Sequence, residues 1–188
     1  MYPTETAYAI GCDATNQQAV DLVFKLKKRV KSKTLPLIAG SLAMVQKYCQ
    51  MSAIEERLAK KYWPGALTMV LNVAPCHSHE NGNPAALAKG IVAKDGTVAV
   101  RVSSHPLARI LSRWLGQPIV STSANLAGEG ECYSLEEVKK QFGCHPERSE
   151  GSIVLLDGGR LKKQKPSTIV KIVNGKIKIL RQGEIKIC

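Results

Sequence analysis

The chain has 188 residues, enough for one sizeable domain with a single hydrophobic core. Its 44% apolar and 22% charged residues are typical of a soluble globular protein, and no apolar run is long enough to span a bilayer. Lysine and arginine number 27 against 15 acidic residues, and the net charge of +12 indicates an anionic partner. Nucleotide phosphates, RNA and a membrane surface all remain open at this point.

Helix-like and strand-like segments alternate along the chain without an internal repeat, which predicts a mixed α/β domain. In the first part, Ser52 and Glu55 form a capping-box pattern, and Trp63-Pro64-Gly65 ends the helix that this pattern opens. The predicted elements there are a helix over 16–29, a strand over 35–39, a helix from Ser41, a helix from Ser52, and a strand over 67–73.

The second part begins with a polar, turn-rich stretch over 74–95, which we predict to be a long loop with room for one short helix. Asn174-Gly175 lies between two alternating segments and predicts a hairpin. The predicted elements are a strand over 97–102, a helix from Pro106 to about Leu115, a strand over 119–120, a helix from the Ser134/Glu137 capping-box pair to about Phe142, a strand over 153–156, and hairpin strands over 168–173 and 176–181. The stretch 143–151 has the composition of a linker or insertion.

Six cations fall within nine residues at the end of the first predicted helix: Lys25, Lys27, Lys28, Arg29, Lys31 and Lys33. A solvated helix end explains them, because cations complement the negative end of the helix dipole. However, the chain turns directly into a buried strand, which places several cations where α/β proteins commonly bind ligands. No glycine-rich P-loop or dinucleotide motif occurs, so triphosphate binding would depend on side chains such as these.

Two further features admit both a local and a functional explanation. The loop Ser121-Thr122-Ser123-Ala124-Asn125, like Ser167-Thr168, is either a capped turn or a set of donors to phosphate or carboxylate oxygens. Arg101 lies in an otherwise apolar strand. If it faces the interior it should meet an anion, because burying an unpaired guanidinium is costly; otherwise it faces solvent.

The cysteines are scattered and form no C-x-x-C pair, which predicts free thiols in a reducing compartment. They are Cys12, Cys49, Cys76, Cys132, Cys144 and Cys188. His77 and His79 lie beside Cys76 without further ligand clusters, so we predict no metal site. Met1 is followed by Tyr-Pro-Thr rather than by a charged and then apolar leader, and we expect a cytoplasmic protein with no membrane partner.

In their order along the chain, these segments resemble the motifs of the YrdC/Sua5 family. The matching segments are Tyr2-Pro-Thr-Glu-Thr-Ala-Tyr8, Lys27-Lys-Arg29 with Lys33, Trp63-Pro-Gly65, Val98-Ala-Val-Arg-Val102, Ser121 to Asn125, Ser167-Thr168 and Arg181-Gln-Gly183. Each motif alone has modest specificity, but the seven motifs occur in order and cover nearly the whole chain. The resemblance implies a single-domain α/β fold, with a twisted mixed sheet flanked by helices around a basic concave cavity.

The resemblance also implies a nucleotidyltransferase activity, threonylcarbamoyl-AMP synthesis. L-threonine, bicarbonate and ATP would give threonylcarbamoyl-AMP and pyrophosphate, and a downstream tRNA threonylcarbamoyltransferase complex would use the product to make t6A at position 37 of tRNA. Magnesium would arrive bound to ATP, since the sequence offers no acidic cluster. The alternative is a non-catalytic protein of this fold that holds double-stranded RNA or tRNA.

Site roles follow from the same resemblance. Lys27 and Arg29 would be catalytic, binding and polarising the phosphates. Threonine would be held by Thr4, Arg101, Ser121 and Ser167. The nucleotide would be contacted by Lys27, Arg29, Lys31, Lys33, Ser123, Asn125 and Arg181.

The domain expected from the resemblance spans residues 1–188. Relatives usually carry an apolar strand before the Tyr-Pro-Thr motif, so we expect an N-terminal strand to be missing here. The segment 143–151 matches no family motif and is expected to be an insertion. After Arg181-Gln-Gly183 we expect no C-terminal Sua5 domain.

Overall fold

The computed structural model describes residues 1–75, 86–126, 128–143 and 153–187. A large sheet contains β3 (Leu37–Ile38), β4 (Cys49–Gln50), β5 (Leu67–Val73), β6 (Thr97–Arg101), β7 (Ile119–Val120), β9 (Thr168–Val173) and β10 (Lys176–Arg181). A small sheet contains β1 (Tyr2–Pro3), β2 (Tyr8–Ile10) and β8 (Thr122–Ser123). The helices are α1 (Gln17–Leu26), α2 (Leu42–Tyr48), α3 (Ala53–Tyr62), α4 (Pro106–Leu115) and α5 (Leu135–Phe142). None of these helices is long and apolar enough to cross a bilayer.

The large sheet is mixed, which confirms the predicted fold class. Its order is β10-β9-β5-β6-β3-β7, with β4 beside β5. β5 runs antiparallel to β6 and parallel to β9, and β3 runs parallel to β6 and antiparallel to β7. The small sheet has the order β1-β2-β8. Because β8 follows β7 after one residue, the two sheets meet at Ser121.

Helix ends follow the local chemistry of the sequence. The Asn16 side chain accepts from the Ala19 N–H at the start of α1, and Ser52 with Glu55 forms the predicted capping box of α3. At α5, Ser134 accepts from the Glu137 N–H, but the Glu137 carboxylate accepts from the Tyr133 N–H instead of from Ser134. The second predicted capping box is therefore only half formed.

The first helix is shorter than predicted because the chain reverses at Lys28. This residue has φ +49°, in the left-handed region, and Arg29 N–H donates to the Phe24 carbonyl, while Lys28 N–H donates to that of Lys25. These two bonds form a Schellman ending, with lysine at the position that usually carries glycine. The helix thus ends at Leu26 and leaves the cations Lys27 and Arg29 pointing in different directions.

The predicted strand over 153–156 is wrong: these residues form no strand, although Leu156 N–H donates to the Met1 carbonyl at 2.9 Å. The free-thiol prediction is confirmed for Cys12, Cys49 and Cys132. Cys76, His77, His79, Cys144, Cys188 and most of the predicted insertion over 143–151 lie outside the described residues.

A close backbone approach fixes the end of the hairpin. Gly183 N–H donates to Thr168 Oγ1 at 3.1 Å, and Glu184 N–H donates to the Pro166 carbonyl at 2.9 Å. A Cβ on Gly183 would overlap the Pro166 carbonyl oxygen and lie 2.6 Å from the Thr168 nitrogen. These neighbours are backbone atoms, so they cannot move aside cheaply.

We therefore expect Gly183→Ala to lower the free energy of unfolding by about 1–3 kcal/mol, the usual cost of overpacking. The measurement is urea denaturation followed by circular dichroism. Gly130→Ala is the matched control, since a Cβ there meets no described residue within 4 Å. Equal stabilities of the two variants would contradict this account of the hairpin end.

Candidate functional site

A cavity of about 400 Å³ is lined by residues from both sheets. The small sheet and its connections contribute Thr4, Thr6 to Ala9, and Ser121 to Ser123. The large sheet contributes residues of β3, β5, β6, β9 and β10, and Arg29 with Thr34 comes from the turn after α1. Its wall brings together seven residues predicted as site residues: Thr4, Arg29, Arg101, Ser121, Ser123, Ser167 and Arg181. Their separate roles remain predictions.

Arg29 is held by the backbone that follows it. Its Nε donates to the Lys33 carbonyl and its Nη2 to the Thr34 carbonyl, both at 3.0 Å. These bonds fix one edge of the guanidinium plane, while the group lies in the cavity wall. Burial lowers the pKa of Arg29 from its ordinary value, so an anion in the cavity would stabilise its charge.

Lys27 is not in the cavity wall but lies behind it. The residue is only 3% exposed, and its ammonium donates to the Ser123 carbonyl, to the Asn125 carbonyl at 2.8 Å and to Asn125 Oδ1 at 3.2 Å. Burial, with a smaller contribution from the Arg29 charge, lowers the pKa of Lys27 to about 8. The ammonium thus ties the end of α1 to the loop that follows β8.

The other predicted cations lie away from the cavity wall. Lys31 Nζ pairs with Asp21 at 2.7 Å, and 72% of its side chain is exposed. Lys33 is exposed. Asn125 also does not line the cavity; its side chain joins Lys27, Ser123 and the Glu129 carbonyl.

Arg101 faces the interior, and the anion that it meets is a carboxylate of the chain itself. Its Nη1 lies 3.0 Å from Glu5 Oε1, and the side chains are 9% and 12% exposed. The Ser103 hydroxyl donates to the other Glu5 oxygen. Glu5 was missed as a site residue, although it lies inside the Tyr2 to Tyr8 motif.

The hydroxyl groups of the wall differ in how many hydrogen bonds they make within the protein. Ser167 Oγ contacts Thr68 Oγ1 at 2.8 Å and accepts from Arg181 Nη2 at 3.1 Å, while Arg181 Nε and Nη2 both donate to the Ser167 carbonyl. Thr4 Oγ1 donates to the Ala7 carbonyl at 2.7 Å. In contrast, the buried Ser121 Oγ makes no hydrogen bond of good geometry among the described residues, although it lies close to the Tyr2 hydroxyl. A buried hydroxyl without a well-formed hydrogen bond is costly, so a ligand would find a ready donor there.

The cavity wall also contains residues that the sequence analysis did not single out: Thr6, Tyr8, Thr34, Thr68 and Glu131. The sequence could have indicated Thr6 and Tyr8, since both belong to the first motif. Glu131 follows Gly128-Glu129-Gly130 and matches no motif. Within the described residues, no group of three or more His, Cys, Asp or Glu side chains is arranged to hold a metal ion.

Comparison with known proteins gives consistent matches over nearly the whole chain. A family model named for Sua5, YciO and YrdC, with the description "Telomere recombination", matches residues 1–183. The threonylcarbamoyl-AMP synthase of Serratia proteamaculans is 38% identical over 185 residues, which cover 97% of this chain and 88% of that protein. That of Yersinia enterocolitica is 36% identical, covering 97% of this chain and 87% of the relative.

Solved structures match as well. P. abyssi Sua5 complexed with L-threonine has a TM-score of 0.77 and 29% identity over 96% of this chain and 49% of that one. E. coli YciO has a TM-score of 0.76 and 27% identity, covering 97% of this chain and 81% of that one. This chain thus spans about half the length of the P. abyssi protein.

The chain is an α/β protein with a mixed sheet and a cavity walled by guanidinium groups and small hydroxyls. The chain belongs to the Sua5/YciO/YrdC family.

The buried ammonium gives a pH-dependent stability. An unfolded chain keeps the lysine proton up to a pKa of about 10.4, whereas the folded chain releases it near 8. Between these values the unfolded state binds more protons, so this residue makes the free energy of unfolding rise with pH. Below pH 8 both states are protonated and its contribution is constant.

We expect the difference in unfolding free energy between the wild type and Lys27→Met to increase in favour of the wild type from pH 8 to about 10.4. Urea denaturation at a series of pH values measures it. Lys60→Met, at an exposed position in α3, is the control and should show no such trend. A difference that stays constant across this range would rule out the lowered pKa.

Proposed function

We propose that this chain is a threonylcarbamoyl-AMP synthase, a nucleotidyltransferase that uses L-threonine, bicarbonate and ATP. The observation that carries the proposal is the convergence of Arg29, Arg101 and Arg181 on one cavity. The same cavity presents the Ser121 hydroxyl, which makes no hydrogen bond of good geometry within the described residues. Relatives that are 35–38% identical over most of the chain bear the same function in their names. We further propose that residues 1–188 form one domain.

The reaction requires two anions to meet. The protonated threonine amine first gives up a proton, and the free amine then condenses with bicarbonate, with loss of water, to form a carbamate. A carbamate oxygen then attacks the α-phosphorus of ATP, and the bond to pyrophosphate breaks. Threonine carboxylate, carbamate and triphosphate repel one another, so the main demand on the protein is to neutralise them and hold them in line.

The cavity wall suits that demand. Arg101, with Thr4, Ser121 and Ser167, would hold threonine, the guanidinium facing its carboxylate. Glu5 leaves this guanidinium only partly engaged, because Glu5 Oε1 accepts no hydrogen bond of good geometry from any described residue despite the 3.0 Å ion pair.

On the nucleotide side, Arg29 would contact the phosphates from the wall, and Lys27 would add charge from behind the Ser123 to Asn125 loop. Ser123, Asn125 and Arg181 would contact the nucleotide. Lys31 and Lys33 would add positive electrostatic potential from the surface. Magnesium would enter on ATP as part of the substrate. We place the reaction in the cytoplasm, with the product passing to a tRNA threonylcarbamoyltransferase complex.

RNA binding without catalysis is the second candidate, and the net charge of +12 favours it. Such binding would weaken steeply with salt, since it depends on phosphate contacts. It predicts tRNA affinity without nucleotide turnover.

The purified chain should release pyrophosphate from ATP and magnesium only when threonine and bicarbonate are both present. A coupled pyrophosphate assay with each substrate omitted in turn measures this. Release without threonine would indicate a simple ATP hydrolase. No release under any condition, with salt-dependent tRNA binding, would favour the second candidate.

Replacing Arg29 by alanine should reduce turnover on the order of a hundredfold, because a preorganised charge aimed at the phosphates is lost. Arg57→Ala, at an exposed position in α3, is the matched control and should keep full activity. Thermal unfolding checks that both variants fold. Full turnover by a folded Arg29→Ala variant would remove Arg29 from the proposed machinery.

A further inference from the structure

Glu131 is an unexplained acid in a cavity that otherwise presents positive charge. It is the only carboxylate among the described residues that line the cavity, whereas three arginines share the same wall. The side chain is half-buried, and it forms no ion pair within the described part of the chain. The proposed reaction leaves it without a role.

The backbone around Glu131 is tethered on both sides. Asn125 Nδ2 donates to the Glu129 carbonyl at 2.5 Å, and Gln141 Nε2 donates to the Gly130 carbonyl at 2.9 Å. On the other side, Tyr8 N–H donates to the Cys132 carbonyl at 2.9 Å. The Tyr133 hydroxyl donates to Glu131 Oε2 at 3.3 Å. These contacts hold the carboxylate in place before any ligand arrives.

The same contacts show on which side of the cavity Glu131 lies. Tyr8 bonds through its N–H to Cys132 and through its carbonyl to Ala124 N–H at 2.7 Å, so the 130–132 segment runs beside the Ser123 to Asn125 loop. Leu126 N–H also donates to Gln141 Oε1, the side chain that binds Gly130. Burial lowers the pKa of Arg181 and the Glu131 charge opposes this shift, which places the two groups within electrostatic reach. Glu131 therefore lies on the side proposed for the nucleotide.

A carboxylate at that position repels phosphate and must meet hydrogen-bond donors. On the sugar and phosphate part of ATP, the donors are the 2′- and 3′-hydroxyls of the ribose. Carboxylates that bind ribose hydroxyls are a common device of nucleotide sites. An acid within electrostatic reach of Arg181, which is proposed to contact the nucleotide, fits the sugar that directly follows the α-phosphate.

We propose that Glu131 accepts hydrogen bonds from the ribose hydroxyls of ATP and makes the site select ribonucleotides over deoxyribonucleotides. This inference rests on the proposed function, because that function makes ATP the nucleotide. It adds a specificity residue that the motifs do not contain.

The test compares kcat/KM for ATP, 2′-deoxy-ATP and 3′-deoxy-ATP at saturating threonine and bicarbonate. The wild type should prefer ATP over at least one deoxy analogue by roughly tenfold to a hundredfold, the range for a hydrogen bond to a charged group. Glu131→Gln should lose most of its rate with ATP and little with that analogue, so the preference collapses. Tyr133→Phe, which frees the carboxylate, should reduce the preference to an intermediate value.

Glu129→Gln is the matched control, since Glu129 is exposed and does not line the cavity; it should keep the wild-type preference. Three results would overturn the proposal: a wild type that does not discriminate, a Glu131→Gln variant that loses rate equally with all three nucleotides, or one that changes only the KM for threonine. The wild-type comparison and Tyr133→Phe decide the matter if Glu131→Gln fails to fold.

Direct binding separates this inference from the proposed function. Calorimetry with ATP and the two deoxy analogues, without threonine, measures the same preference in the absence of turnover. If the wild type binds ATP but releases no pyrophosphate with threonine and bicarbonate, the proposed function fails. The binding preference and its loss in Glu131→Gln then still decide the role of Glu131.

Discussion

The buried ammonium of Lys27 is the contact on which the geometry of the cavity depends. A lysine charge taken out of water must be matched by acceptors, and three oxygens of Ser123 and Asn125 supply them. This requirement fixes the end of α1 against the loop after β8, nearly a hundred residues further along the chain. The chain then turns in the left-handed conformation at Lys28, and two carbonyls orient Arg29 in the cavity wall. Lys27 and Arg29 are separated by one residue but make different contacts. Lys27 binds the loop after β8, and Arg29 lines the cavity.

The other two arginines of the cavity wall are also matched by acceptors of the protein. Arg101 could not remain buried alone, and Glu5, itself held by Ser103, moderates its charge. Arg181 is braced by the backbone and hydroxyl of Ser167, which joins the two ends of one hairpin. Each guanidinium is therefore anchored by the protein through some of its donors. Such preorganisation suits a reaction whose difficulty is the mutual repulsion of its substrates.

The sequence predicted the elements that carry long periodic patterns or strong end signals. β5, α4 and the hairpin around Asn174-Gly175 were predicted with the bounds observed, because alternation, a proline at the first helical turn and an Asn-Gly pair are local signals. β1, β2, β4 and β8 were missed, since two or three residues cannot display a period. Seven predicted site residues line one cavity, yet the inward course of Lys27 and the pairing of Arg101 with Glu5 depend on contacts between distant segments. Glu131 had no motif to mark it, and only the folded chain reveals that it shares a wall with three arginines.

In the hairpin of β9 and β10, the site residues and the turn lie at opposite ends. Ser167 precedes one strand and Arg181 ends the other, so both site residues lie at the open end, while Asn174-Gly175 lies a full strand length away. β10 is exposed along its whole length. Exposed loop tips of this kind accept inserted sequence well. The turn at Asn174-Gly175 is accordingly the place to introduce a fluorophore, an affinity handle or new chain termini, because a change there leaves the cavity wall untouched.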